Sequence, residues 1–295
     1  MSSTVDNRLV RGRMPGLGRL TKSLGLSRIS MRYKIVVGGS ALAVIGIGAL
    51  FAPVIAPYDP IAQDISNAFS PPTTSHLFGT DQFGRDVLSR VIFAARLDLQ
   101  IALVATVFCL IIGVLFGLIA GYRGGITDQV IGRLIDFVVA FPAIVAVIAL
   151  IAFLGNDMIN LYIALTITGW TSYARLVRGE TFRVKALPYI DSARALGFSH
   201  SRIVMRHILP NVISPAGIYW ITDMVGTILL VRSLSFLGLG PHPPTPEWGA
   251  MIAEARPFLL MAWWISVFPG LAIAVTGIAR AFLGDGLDEA LSPRS

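Results

Sequence analysis

The chain has 295 residues, of which 54% belong to the apolar and aromatic set and only 14% are charged. Soluble domains carry about 25% charged residues, so the composition excludes a soluble enzyme or a disordered chain and favours a polytopic membrane protein. The net charge of +7 is typical of basic cytoplasmic loops. Since no nucleic-acid-binding motif accompanies it, we expect no nucleic-acid partner.

Long uncharged runs predict the membrane-spanning helices, because a helix needs about 20 apolar residues to cross the hydrocarbon layer. Five runs reach or approach this length, and a sixth contains one acid, Asp223. We therefore predict an all-α fold with six transmembrane helices. The predicted spans are 35–58, 99–122, 137–156, 158–174, 212–231 and 257–279.

The charges outside the spans predict the orientation. The N-terminal tail, 1–34, carries eight basic residues and one acid, whereas 58–90 carries four acids and two bases. Because cytoplasmic loops are rich in Lys and Arg, we expect the tail and the basic loop 180–210 in the cytoplasm, and 58–96 in the periplasm. An even number of spans also places the C-terminal tail, 285–295, in the cytoplasm.

The segment 84–97 predicts a short amphipathic helix before the second span. Val87, Val91 and Ala95 recur at helical spacing, opposite Asp86 and Arg90. A helix with one apolar and one charged face is typical of the membrane surface.

The second span carries glycines at intervals of four: Gly113, Gly117, Gly121 and Gly125. These positions share one helix face, where a second helix can approach closely. The stripe predicts helix packing and no chemistry.

The basic loop predicts a helical hairpin. Good helix formers run from Tyr189 to Leu196 and stop at Gly197, a common helix terminator. A second helical stretch from His200 ends at Pro210. A helical hairpin on a cytoplasmic face favours docking of a partner over catalysis.

The sequence lacks the motifs of catalysis and of nucleotide binding. It contains no Gly-Lys dipeptide, so it has no Walker A phosphate loop. Its single cysteine, Cys109, lies in an apolar run. The histidines occupy separate loops or span edges, at positions His76, His200, His207 and His242. We therefore expect no enzyme activity, no metal site and no cofactor bound by this chain itself.

Two charges lie in or beside the fifth predicted span. Asp223 falls near its middle and Arg232 near its outer end. Ionisable groups in a span usually face a bundle interior or a water-filled cavity. The hypothesis is that one of them lines a translocation path and the other pairs with a neighbouring helix; the alternative is that both are structural. A path-lining Arg232 favours a substrate with a carboxylate.

Four motifs, which follow one another along the chain in the same order as in the family, resemble those of ABC importer permeases for dipeptides, oligopeptides and nickel. They resemble specifically those of the C-type subunit. One resembles the EAA loop of importer permeases, one the segment before the second span, one the last external loop and one the C-terminal end. They read DSARALG (191–197) with HILP (207–210), LFGTDQFGRDVLSR (77–90), LSFLGLG (234–240) with PPTPEWG (243–249), and FPG (268–270) with LGDGL (283–287).

The resemblance implies the type I ABC importer fold, with a first helix at 35–57, a periplasmic loop at 58–96 and a transmembrane domain at 97–284. It implies a multi-pass protein of the bacterial inner membrane. The implied partners are a second homologous permease, one or two ATPases that bind ATP and Mg²⁺, a substrate-binding protein and membrane lipid. It also implies a set of residues that contact the ATPase: Asp191, Ser192, Ala193, Ala195, Leu196 and Gly197.

Several functions remain open at this point. Within the resemblance, the substrate is a di- or oligopeptide, with nickel, glutathione or an opine-like solute as alternatives. A secondary transporter is an alternative of a different class, and it predicts internal repeats and intramembrane coupling residues. A membrane scaffold is a third, and it predicts no dependence on ATP.

Overall fold

The computed structural model describes residues 26–241 and 243–291. In this part of the chain there is no β-strand, only one antiparallel bridge between Thr80 and Asp86, which confirms the all-α class. His242 and most of the predicted N-terminal tail lie outside the described residues. The main helices are α1 Leu26–Leu50, α2 Val87–Arg123, α3 Gly125–Val139, α4 Ala143–Leu154, α5 Met158–Lys185, α6 Pro188–Ala195, α7 His200–Phe236, α8 Trp248–Ala255 and α9 Trp264–Leu291.

Four of the described helices are long and apolar enough to cross a membrane: α1, α2, α7 and α9. A bent pair, α3 and α4, gives a fifth if it is counted as one span. The predicted total of six is therefore not confirmed. Helix α5 has 28 residues, but it mixes Asn, Thr and Ser with its apolar residues and does not belong to this apolar set.

The third predicted span, 137–156, is not one helix. Helices α3 and α4 meet at an angle of 86°, and Pro142 directly precedes α4. Proline lacks a backbone N–H and disfavours the helical conformation of the residue before it. The uncharged run is continuous in the sequence, but Pro142 divides it between two helices.

The first and last predicted spans are shifted along the chain. Helix α1 begins at Leu26 rather than at Ile35, and it ends at Leu50, before a single helical turn at Ala52–Ile55 that contains Pro53. Helix α9 begins at Trp264 and continues to Leu291, past the start of the predicted C-terminal tail. Helix α1 thus continues past its uncharged run at the N-terminal end, and α9 does so at the C-terminal end.

The predicted surface helix at 84–97 is wrong. Helix α2 runs without interruption for 37 residues, from Val87 to Arg123, so the amphipathic segment is the first three turns of the second span. Asp86 caps this helix, since its side chain accepts the N–H of Ser89 at 2.8 Å. The charged face is buried rather than exposed, with Arg90 only 2% exposed.

The glycine stripe packs α2 against α5 as predicted. A Cβ added to Gly113 would collide with the Cβ of Tyr173, and one added to Gly117 would lie 2.8 Å from the carbonyl oxygen of Ala174. Gly121 faces Thr181 in the same way. Gly125 does not belong to this contact, because the chain turns at Gly124 before it.

Candidate functional site

The basic loop at 180–210, called the coupling loop below, folds as two helices joined by a tight turn. The turn is a Schellman motif, in which the Phe198 N–H donates to the Ala193 carbonyl at 3.1 Å and the Gly197 N–H to that of Arg194 at 2.9 Å. Gly197 has φ +77°, a left-handed conformation that favours glycine. The predicted stop of the first helix is therefore confirmed.

The inner face of the coupling loop packs on the rest of the chain. Ile190 and Ala193 are buried in one cluster with Ile203 and Val212 of α7 and Val177 of α5. Ala193 is 5% exposed, so its side chain packs inward within the loop, and its implied contact with an ATPase stays a prediction.

The outer face of the coupling loop is open. Leu196 is 74% exposed, which is unusual for an apolar side chain that faces water. The other members of the implied contact set on this face are also exposed, namely Asp191, Ser192, Ala195 and Gly197. One apolar side chain within a small-residue surface is a suitable anchor for a partner.

The second helix of the loop does not end at Pro210. Helix α7 continues from His200 through Pro210 to Phe236, and a π-helical turn at Val204–Ile208 precedes the proline. Proline removes one hydrogen bond from the helix ladder, and a π-turn adjusts that ladder without ending the helix. The coupling loop is thus continuous with a membrane-spanning helix.

Asp223 lies beside a cavity of about 230 Å³ between α2, α5 and α7. The Tyr173 hydroxyl donates to its Oδ2 at 2.7 Å. The cavity is also lined by Thr168, Ser172 and Thr227. A carboxylate beside hydroxyl groups can accept hydrogen bonds or attract a cation, and the Arg280 side chain of α9 reaches the same stretch of α7, where its Nη2 would lie 3.2 Å from a Cβ added to Gly226.

Arg232 occupies a different kind of site. Its Nε lies 3.3 Å from Oδ2 of Asp98 on α2, and its guanidinium carbon stands 4.1 Å from the ring centroid of Trp248. The residue is 4% exposed. Asp98 and Trp248 contact part of the guanidinium, but its Nη1 and Nη2 have no hydrogen-bond partner among the described residues, and Arg232 also lines a cavity of about 480 Å³.

A buried cluster of charges joins two segments that the sequence predicts on the external side of the membrane. Arg85 Nε lies 2.6 Å from Asp81 Oδ2, and its Nη2 lies 3.2 Å from Glu254 Oε2 of α8. Arg90 Nε lies 3.5 Å from the same Asp81 oxygen. These four residues form the external ion cluster, which holds the segment before α2 against α8.

Sequence reasoning missed this cluster and the Asp98 partner of Arg232. The signal was present, since Asp81, Arg85 and Arg90 belong to the motif at 77–90. Of these three, the sequence assigns only Arg90 to the polar face of the predicted surface helix, and Asp81 precedes that helix. Asp98 stands one residue before the second predicted span, so it was counted outside the membrane and was not paired with Arg232.

Comparisons with known proteins agree with this architecture. Residues 113–295 match the family described as binding-protein-dependent transport system inner membrane component, and residues 35–72 match the N-terminal transmembrane domain of oligopeptide transport permease C. A crystal structure of an amino acid ABC transporter superimposes with a TM-score of 0.53 and 15% identity, over 69% of this chain and 95% of the other. That likeness concerns the fold alone.

Curated relatives align over most of their length. The dipeptide transport system permease of Alkalihalophilus pseudofirmus is 39% identical over 83% of this chain and 81% of its own. The glutathione transport system permease of Pectobacterium atrosepticum is 40% identical over 88% and 86%.

Proposed function

The chain belongs to the family of inner membrane components of binding-protein-dependent transport systems, and we propose that it is one permease of an ATP-driven importer of peptides. The observation that carries the proposal is the exposed outer face of the coupling loop, with Leu196 at its tip, in a chain of this family. Because the relatives are named for dipeptide and glutathione transport, a short peptide is the substrate class that we assign. Family membership removes the secondary transporter and the scaffold as alternatives.

In the proposed mechanism the chain performs no covalent chemistry. Separate ATPase subunits bind ATP and Mg²⁺, and their closure moves the coupling loop. Helix α7 carries this movement into the membrane, because it is continuous from His200 to Phe236. Rigid-body movement of packed helices between two states is a common form of such a switch.

The proposed orientation places the coupling loop in the cytoplasm and the external ion cluster in the periplasm. These two sites lie at opposite ends of α2, whose 37 residues span about 55 Å at 1.5 Å per residue. The basic charge around the coupling loop supports this orientation. The proposed complex contains a second homologous permease, one or two ATPases and a periplasmic binding protein.

Within the proposed path, Asp223 is the side chain that we assign to contact with substrate. It borders a cavity with polar walls, whereas Arg232 lines a more apolar cavity and is held by Asp98 and Trp248 of its own chain. A carboxylate at this depth favours a substrate that carries an ammonium group, such as the N-terminus of a peptide. We expect Asp223→Asn to lower uptake of peptides with a free N-terminus more than that of N-acetylated peptides.

Glutathione is the second candidate substrate, favoured by the name of the 40%-identical relative. Both candidates are tested by one experiment. The complex is purified through a tag on this chain, its subunits are identified by mass spectrometry, and it is reconstituted in vesicles with the co-purified binding protein. We expect a second permease, ATPases and uptake of labelled di- and tripeptides that depends on ATP. Uptake of glutathione alone would assign the second candidate, and recovery of the chain without an ATPase would contradict the proposal.

A further inference from the structure

A groove of about 820 Å³ lies between the C-terminal end of α2 and the first turns of α7. Its walls differ at the two ends. Along its length it is apolar, with Leu115, Leu118 and Ile119 on α2 and Val204 and Met205 on α7. At the end nearest the coupling loop it is lined by basic side chains, from Arg123, Lys185, Arg194 and His200.

We propose that this groove binds one anionic phospholipid, with the headgroup phosphate among the basic side chains and an acyl chain along the apolar wall. The proposal rests on the orientation given under the proposed function, because the cytoplasmic leaflet is the one whose anionic lipids attract basic segments beside membrane helices. It goes beyond that function, which requires no particular lipid.

The charges at the mouth of the groove fit an anion. Among the described residues, no acidic side chain lines it. Arg194 is held by Asp191 at 2.8 Å, and Lys185 donates to the carbonyl oxygen of Tyr122 at 2.5 Å. Arg123 is exposed at the end of α2 and has no carboxylate within ion-pair distance in the described part of the chain, so its charge is directed to whatever enters the groove.

The apolar wall fits an acyl chain rather than a small soluble anion. Leu115 is 54% exposed and Met205 is 62% exposed. Leu115 precedes Arg123 by eight residues, which is about 12 Å along a helix. A phosphate ion would use only the basic end, whereas a lipid contacts both ends, because its acyl chain lies along the apolar wall within the hydrocarbon layer.

A lipid at this position contacts the machinery of coupling. The Tyr122 hydroxyl lies 2.7 Å from Nδ1 of His200, so the end of α2 already touches the start of α7. A headgroup held by Arg123 and Lys185 would bridge the end of α2 to the end of α5, beside this contact. We therefore expect the lipid to raise the ATPase activity that loaded binding protein stimulates.

The test uses the assembled complex in nanodiscs of phosphatidylcholine with 0–30% phosphatidylglycerol. Bound lipid is counted by native mass spectrometry after a detergent wash, and stimulated ATPase activity is measured in parallel. The double variant Arg123→Gln, Lys185→Gln is compared with Arg133→Gln, which removes an exposed arginine of α3 outside the groove. We expect the double variant to retain phosphatidylglycerol about 25-fold less well, since each of the two basic residues near an anionic surface contributes a factor of about five.

Two further arms distinguish the source of the anion. In the first, inorganic phosphate is added at 10 mM, about a hundredfold above the concentration of binding sites, and it should leave bound phosphatidylglycerol in place. In the second, Met205→Ser should weaken lipid retention although it removes no charge. Displacement by phosphate, equal retention of phosphatidylcholine, or equal losses in the double variant and in Arg133→Gln would each overturn the proposal. Lipid retention is read without transport, so a complex that binds the lipid but moves no peptide contradicts only the proposed function.

Discussion

The external ion cluster and the coupling loop are both rich in charge, but they use it in opposite ways. In the external ion cluster, Asp81, Arg85 and Arg90 are buried and paired with one another and with Glu254. In the coupling loop, charged side chains such as Arg194 and Asp191 are exposed and pair only with neighbours in sequence. Other parts of the chain cover the charges of the external ion cluster, whereas the outer face of the coupling loop is left uncovered.

This difference separates structural from docking surfaces in a single permease. Removing one partner from a buried ion pair costs about 3–5 kcal/mol, whereas an exposed pair contributes about 0–1 kcal/mol. Substitutions in the external ion cluster should therefore damage folding, and substitutions on the outer face of the coupling loop should damage assembly while the chain itself remains folded.

The largest effect is expected for Arg90→Ala. This change leaves Asp81 buried with one cation fewer and removes the donation of Arg90 to the carbonyl oxygens of Pro60 and Pro244, at 3.2 and 3.3 Å. We expect a loss of about 3–5 kcal/mol in the free energy of unfolding, measured as a lower melting temperature and yield of the purified chain. The control is Arg96→Ala, on an exposed position of the same helix, and equal losses in both variants would argue against a structural cluster.

The next effect is expected for Leu196→Glu. Replacing an exposed apolar anchor by a charge should weaken binding of the ATPase by about 30-fold, the equivalent of a 2 kcal/mol hot spot. Binding is measured by titrating purified ATPase against the permeases in nanodiscs, with the melting temperature of the chain unchanged. Leu260→Glu serves as the control, because Leu260 is fully exposed in the segment between α8 and α9. If it weakens ATPase binding as much, the proposed location of the docking surface is wrong.

A smaller effect is expected for Gly197→Ala. Nothing lies within 4 Å of a Cβ added there, so the cost is that of a left-handed backbone conformation alone, about 1 kcal/mol. We expect a modest loss of ATPase coupling, with Gly197→Asn closer to the wild type since asparagine tolerates this conformation. Gly132→Ala, also in open space but without positive φ, should leave coupling unchanged, and an equal loss there would contradict the role of the turn.

The smallest effect concerns pH and Asp64 in the external loop. Hydrogen bonds from the side chains of Ser66 and Asn67 lower the pKa of the Asp64 carboxyl. A lowered pKa stabilises the folded loop above the unfolded value of about 3.9, and this stability is lost as the pH falls through the folded value. The difference in melting temperature between the wild type and Asp64→Asn should therefore be small at pH 7, and it should become smaller still as the pH falls below about 4. A difference that grows on acidification would contradict this assignment.

The sequence predicts those features of the fold that depend on local chemistry. Uncharged runs locate the cores of α1, α2, α7 and α9, and the stop at Gly197 follows from its conformational freedom. The division at Pro142 was missed, because the length and apolar composition of a run do not show that one proline within it separates two helices. The burial of Arg90 was also missed, since helical periodicity separates charged from apolar faces but does not say whether another part of the chain covers the charged face.

The candidate site was predictable to a similar degree. The motif at 191–197 located the coupling loop, but only the structure separates Ala193, which packs inward, from Leu196, which points outward. Likewise, the sequence identified Asp223 and Arg232 as unusual charges. The assignment of Arg232 to a buried pair required its distance to Asp98 on another helix, and no spacing along the chain encodes that distance.

The central claim is that the outer face of the coupling loop is the docking surface for the ATPase. Its most direct test places a photo-crosslinking amino acid at one position at a time, 192, 193, 196 or 260, in the assembled complex. The account predicts crosslinks to the ATPase from positions 192 and 196, and none from the buried position 193 or from position 260 at the other end of the molecule. Crosslinks to the ATPase from position 260, or none from position 196 in a complex that hydrolyses ATP, would contradict it.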